Sequence, residues 1–161
     1  MTMRQYTRFE LAHNQLEAAI ALYITKRDRL SAITLAGAAD VLLSQLVLRT
    51  GKPNFTDRAL EQDLESRQRM VTREIFGKRV NDMLFINQLK HFDDGAQEVV
   101  ELDVDECALA AILKALANYI DLPEHKHDLV IMFKLWAKQN LDPKKYNIAG
   151  DPNWAPQPTE A

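Results

Sequence analysis

The sequence predicts an all-α fold: an up-and-down bundle of about five helices over residues 1–141, then a proline-rich C-terminal tail over 142–161. Three observations lead there. Alanine and leucine are abundant while glycine is scarce, five in 161 residues, which favours helix over sheet. Apolar residues recur at helical spacing through successive stretches that capping and turn residues separate. From Ala32 to Leu43 the only charge is Asp40, as in a central helix packed on several sides.

The first helix opens at Thr7, whose spacing to Glu10 is that of a capping box. Phe9, Ala12, Leu16, Ala19, Ile20 and Tyr23 give it one apolar face to about Lys26, and His13 borders that face as a packed, hydrogen-bonding residue. Ser31 is the expected cap of a second helix, Ala32 to Arg49, closed by Gly51 as a C′ residue. Gly37, flanked by Ala36, Ala38 and Ala39, lets another helix approach closely, or forms a self-association face. Asp40 on so apolar a helix needs a partner, expected to be an arginine of the next helix, in a structural role.

The loop GKPNFT follows, and Thr56 or Asp57 is expected to cap a third helix with Leu60, Leu64, Val71 and Ile75 inward. Gly77 interrupts that pattern as a kink or short break. The stretch Lys78–Gly95 is then read as one helix, in which Val80, Leu84, Asn87 and His91 share a face. A neighbouring stripe of Arg79, Met83, Ile86 and Lys90 is apolar in the middle and basic at both ends, and Asp93-Asp94-Gly95 breaks the helix. QEVVELD reads as an ordered extended linker. Asp103, with Glu106, caps a helix from Val104 to Ile120 with Cys107, Ala108, Ala111, Ile112, Ala115, Leu116 and Tyr119 inward. Asp121, Pro123 and Glu124 are expected to start a last helix to about Asn140, with Leu129, Met132, Phe133 and Trp136 facing in. The tail beyond it has no periodicity, and Tyr146 and Trp154 are its candidate anchors.

Composition bounds the function classes. The chain is 47% hydrophobic and 27% charged with net charge −3, ordinary for one domain with a real core. No uninterrupted apolar run approaches the roughly 20 residues of a membrane span, and MTMRQYTRFE has no apolar signal region. The lone Cys107 excludes an intrachain disulfide and reads as a small core residue, so the cytoplasm is the expected compartment and no membrane partner is expected. There is no phosphate-cradling glycine loop, no nucleophile elbow, no His-Glu-x-x-His and no cysteine cluster. His125 and His127, two apart, have no third ligand to complete a metal site, so neither metal nor cofactor is expected.

Charge is unevenly distributed. Six Lys/Arg between Arg67 and Lys90 precede seven acidic residues between Asp93 and Glu106. A positive face beside a negative one is expected, with Arg67, Arg73 and Arg79 the candidate contacts to RNA or another anion.

Asn87-x-x-Lys90-His91, followed by an acidic turn, resembles the functional helix of the HEPN-like all-helical superfamily. The order of elements from about Phe9 to Asp121 is similar too: a long first helix, a small-residue second helix, a polar helix, then more. The resemblance implies a metal-independent endoribonuclease or RNA-binding protein acting in stress or phage defence, with no cofactor and with two copies lining one cleft. His91 would then handle the proton of a ribose 2′-hydroxyl, Asn87 would orient His91 or the phosphate, and Lys90 or Arg79 would hold the phosphate. The family's arginine lies close before its histidine, whereas here the nearest upstream arginine is Arg79. The alternative is a non-catalytic helical module that binds a partner protein or a small anion, with Asn87 and His91 hydrogen-bonding the turn Phe92–Gly95.

Overall fold

A computed structural model describes residues 3–67, 73–155 and 157, with the side chains of 64–76 outside the described set. Six helices run through the described residues: α1 Arg8–Ile24, α2 Arg29–Arg49, α3 Phe55–Arg67, α4 Arg73–Met83, α5 Val104–Ile120 and α6 His127–Asn140, with no strand among those residues. The all-α helical bundle expected from the sequence is therefore what the chain forms. Met1–His125 and Lys126–Ala161 make two compact units.

In the first unit α2 lies between α1 and α5. The α1 cap is the one the sequence indicates: Thr7 accepts from the Glu10 amide at 3.1 Å, and Glu10 accepts from the Thr7 amide at 2.7 Å. Its end holds Lys26 at φ 56, with the Arg27 amide on the Leu22 carbonyl and the Lys26 amide on the Tyr23 carbonyl, both 3.2 Å. That is a Schellman motif with lysine where glycine is favoured. Lys26 is exposed, and the left-handed conformation costs a non-glycine residue about 1 kcal/mol. Lys26→Gly is accordingly expected to raise stability by about 0.5–1 kcal/mol. An unchanged or lower urea midpoint would show that the lysine side chain contributes more than its backbone costs.

Asp28, not Ser31, caps α2. Its carboxylate accepts the Ser31 amide at 2.9 Å and the Ser31 hydroxyl at 2.5 Å, and those two bonds, the hydroxyl first, hold it below the usual carboxylate range. Gly51 follows α2 at φ 80, as expected of a C′ glycine. Arg29 at the start of α2 pairs with Asp105 at the start of α5, so these two helices run parallel. Phe9 and His13 at the start of α1 stack on Tyr119 at the end of α5, with ring centroids 5.5 and 5.8 Å away, so α1 runs antiparallel to α5. His13 Nδ1 lies 2.9 Å from the buried Tyr119 hydroxyl, which makes it a packed core residue.

Leu16, Ile20, Ile33, Leu43, Val47 and Ile112 fill the core between these helices. Into it the sequence also places a polar network. Asp40 is 5% exposed and pairs with Lys114 of α5, itself 5% exposed, rather than with an arginine. Asn118, fully buried, donates to the second Asp40 oxygen at 2.8 Å and accepts the Phe55 amide at 2.8 Å. One cluster thus sets α2 against α5 and seats the first turn of α3. The cap of α3 is Asn54, not Thr56 or Asp57: Asn54 accepts the Asp57 amide at 3.0 Å, and Asp57 accepts the Asn54 amide at 3.3 Å. Arg58 pairs with Asp121, the C-cap of α5.

All seven inward positions expected on α5 are buried, and Asp103 accepts the Glu106 amide at 3.1 Å as its cap. Burial pushes the Cys107 thiol up, and the Asp103 and Glu106 carboxylates push it further, which keeps it protonated and inert as a core residue should be. α2 matches a membrane span in length and hydropathy, which the criterion of an uninterrupted run passes over, but it is the helix between α1 and α5 and carries the buried Asp40. Leu64, Val71 and Ile75, expected inward, have side chains outside the described residues. Gly77 sits inside α4 without interrupting it.

The last helix, α6 of the second unit, starts at His127, not at Asp121; residues 121–124, at the end of the first unit, form a turn in which Leu122 is buried. Leu129 and Phe133 are buried as expected, Trp136 is half-buried, but Met132 is exposed, and Val130 and Ala137 complete the buried face. The tail folds on itself: the Trp154 indole donates to the Pro143 carbonyl at 3.0 Å, and Asn147 bonds Asp151 in both directions at 2.8 and 2.9 Å.

Candidate functional site

The helix expected over Lys78–Gly95 ends early, at Met83. Phe85 takes φ 56, the Ile86 amide reaches the Asn81 carbonyl at 3.0 Å, and the Phe85 amide reaches the Asp82 carbonyl at 3.1 Å. This is a second Schellman motif, with a phenylalanine in the left-handed position. The cause is tertiary. Ile86 is 3% exposed and seats on Gly37 of α2, where a Cβ would meet its Cγ2 at 2.7 Å. Only the missing side chain at 37 makes room, and seating Ile86 turns the chain off the axis of α4.

The turn breaks the stripe on which Val80, Leu84, Asn87 and His91 were expected to align. Asn87 donates from Nδ2 back to Asp82 Oδ1 at 2.9 Å, not forward to Phe92–Gly95. Its carbonyl accepts the Lys90 and His91 amides at 3.0 Å, which closes one helical turn and sets His91 one turn beyond Asn87. Lys90 and His91 are exposed, and the His91 ring has no hydrogen bond among the described residues. Arg79 projects, exposed, from α4. Arg67 ends α3 and Arg73 begins α4, but their side chains lie outside the described residues. Of the residues expected to act together, Asn87 is therefore engaged in holding its own turn, while Lys90 and His91 face solvent.

Beyond Gly95, at φ 87, residues 96–103 form neither helix nor strand and link the turn to α5. Between this linker and the turn lies a groove of about 750 Å³. Phe85, Gln88, His91 and Phe92 line one wall and residues 96–101 the other. Phe92 and Val99 are each 74% exposed, a large apolar surface left open to water. Glu98 and Glu101 add charge to the lining, and Asp93 and Asp94 follow Phe92 directly. None of these four carboxylates forms an ion pair among the described residues, whereas Asp103 and Asp105 are engaged in the α5 cap and on Arg29. The site thus combines exposed aromatic and aliphatic surface with negative charge. Of the exposed cations, Lys78 and Arg79 precede it in the chain and Lys90 lies within its span, beside His91.

Sequence reasoning found His91 but missed the groove it lines. The signal was the pair Val99-Val100 held between Glu98 and Glu101 in QEVVELD, apolar residues with no helical period to bury them. Among the described residues no three His, Cys, Asp or Glu side chains gather as a metal site would require. No protein-family model matches the chain, and neither a curated protein nor a solved structure does.

Proposed function

We propose that this protein is a non-catalytic helical interaction module whose groove at 85–101 takes a basic, amphipathic segment of a partner protein. The observation that carries this reading is the lining itself: Phe85, Phe92 and Val99 offer apolar area, and Glu98 and Glu101 offer charge that nothing in the described fold neutralises. Exposed aromatics on a concave surface supply binding energy, and the carboxylates select a cationic partner. The same carboxylates repel phosphate, which argues against RNA in this groove.

The test is fluorescence anisotropy with a labelled lysine–leucine amphipathic peptide, against a glutamate–leucine control of the same spacing. The lysine peptide binds and the control does not. Phe92→Ala and the double change Glu98→Lys with Glu101→Lys each weaken binding about tenfold or more. Equal binding of both peptides, or binding indifferent to all three positions, overturns the reading.

One observation favours a second reading. His91 is exposed beside Lys90 with its ring free of hydrogen bonds among the described residues, as a proton-transfer group acting on RNA would need to be. A metal-independent ribonuclease of HEPN type would cleave RNA in EDTA, and His91→Ala would abolish that cleavage with the fold intact. Cleavage that survives His91→Ala, or none in the wild type, removes this reading. Either function is proposed for the cytoplasm, where Cys107 stays reduced.

A further inference from the structure

The Gly37 surface of α2, one expected self-association face, is taken up within the chain by Ile86. A different face is left open. On α6 the buried residues Leu129, Val130, Phe133 and Ala137 occupy one side, and Ile131, Met132 and Leu135 stand 52%, 45% and 54% exposed on the other. Helical spacing puts these three on one stripe, with Asp128 a turn before them and Lys138 a turn after. Neither Asp128 nor Lys138 has an ion pair among the described residues.

The order along the stripe is acid, three apolar residues, base; Asp128 with Lys138 and Ile131 with Leu135 are symmetric about position 133, while Met132 falls level with Lys134 of the second copy. An antiparallel copy of the same helix set at that centre brings Ile131 level with Leu135 of the second copy. It also brings Asp128 level with Lys138 at both ends. We propose that α6 is a homodimerisation helix and that a second copy of this chain, antiparallel across a two-fold axis, covers the Ile131–Leu135 stripe. Such a contact is isologous: the same patch serves both copies, and each charge meets its opposite twice. A parallel pairing sets Asp128 against Asp128 and Lys138 against Lys138, so the charges select the antiparallel arrangement. The stripe is short against the roughly 1,000 Å² of a stable interface, so the dimer is weak and depends on concentration.

Sedimentation equilibrium of the full chain, monomer mass 18.4 kDa, tests this with charge reversals. The wild type dimerises at tens to hundreds of micromolar. Asp128→Lys alone and Lys138→Asp alone each weaken the dimer about tenfold, because two attractive contacts per interface become repulsive. An equimolar mixture of the two variants restores association, since the mixed pair has opposite charges at both ends. Leu135→Glu gives a monomer of unchanged helicity. A wild type that stays monomeric throughout that range overturns the proposal, whatever else covers α6. So does a dimer indifferent to Leu135→Glu, or a mixture that associates no better than its components.

Discussion

Asp40→Ala is expected to remove about 3–5 kcal/mol of stability, the cost of breaking a buried ion pair by removing one partner. The alanine leaves the Lys114 ammonium in a site 5% exposed with no counter-ion, and it takes from Asn118 the acceptor of its 2.8 Å bond. Lys114→Met should cost a similar amount, because it strands the carboxylate instead. Replacing both, Asp40→Leu with Lys114→Met, should recover part of the loss: two apolar side chains of like volume need neither partner, but the buried Asn118 amide still lacks its acceptor. Urea unfolding of the wild type, Asp40→Leu, Lys114→Met and the double variant gives the coupling directly. A loss under about 1 kcal/mol for Asp40→Ala would mean the pair behaves as an exposed one, contrary to its burial.

Ile86→Ala is expected to cost about 2–4 kcal/mol, the usual loss for truncating a buried isoleucine, and to weaken peptide binding because the turn carrying Phe85, Gln88 and His91 loses its seat. The glycine beneath it gives the sharper test. Gly37→Ala gains about 1 kcal/mol of helix propensity, but its Cβ meets Ile86 Cγ2 at 2.7 Å. Overpacking of about 1–3 kcal/mol cancels or exceeds that gain. With Ile86 already alanine, the new methyl has space and the propensity term remains. Gly37→Ala should therefore stabilise the Ile86→Ala background while leaving the wild type unchanged or weaker. The same effect in both backgrounds would mean that Ile86 does not sit on Gly37.

What the sequence made legible was local. Thr7 with Glu10, Gly51, and Asp103 with Glu106 mark helix ends because each acts on amides or carbonyls within four residues. Where two polar residues compete for one cap, pattern alone chose the wrong one: Asp28 lies three before Ser31, and Asn54 two before Thr56. Asp121 has the composition of an N-cap, yet it closes α5, because Leu122 is drawn into the core and delays the next helix to His127. Asp40 announced its need for a partner. Lys114 and Asn118 did not, since a polar residue in ALAAILKALANYI reads as solvent-facing until α2 is placed against it. The break at Phe85 was invisible for the same reason. Nothing near Phe85 disfavours helix, and the contact responsible joins Ile86 to a glycine on α2. The candidate site changed accordingly: His91 and Lys90 are exposed, Asn87 is withdrawn to Asp82, and the groove comes from residues on both sides of the turn.

The most direct measurement of the proposed function is a map of amide chemical shifts on titrating the full-length protein with the lysine–leucine peptide. Saturable shifts are expected at residues 85–101, with Phe92, Val99 and their neighbours moving most and the core of α1, α2 and α5 unmoved. Shifts centred elsewhere, or none at peptide concentrations in the hundreds of micromolar, would contradict it.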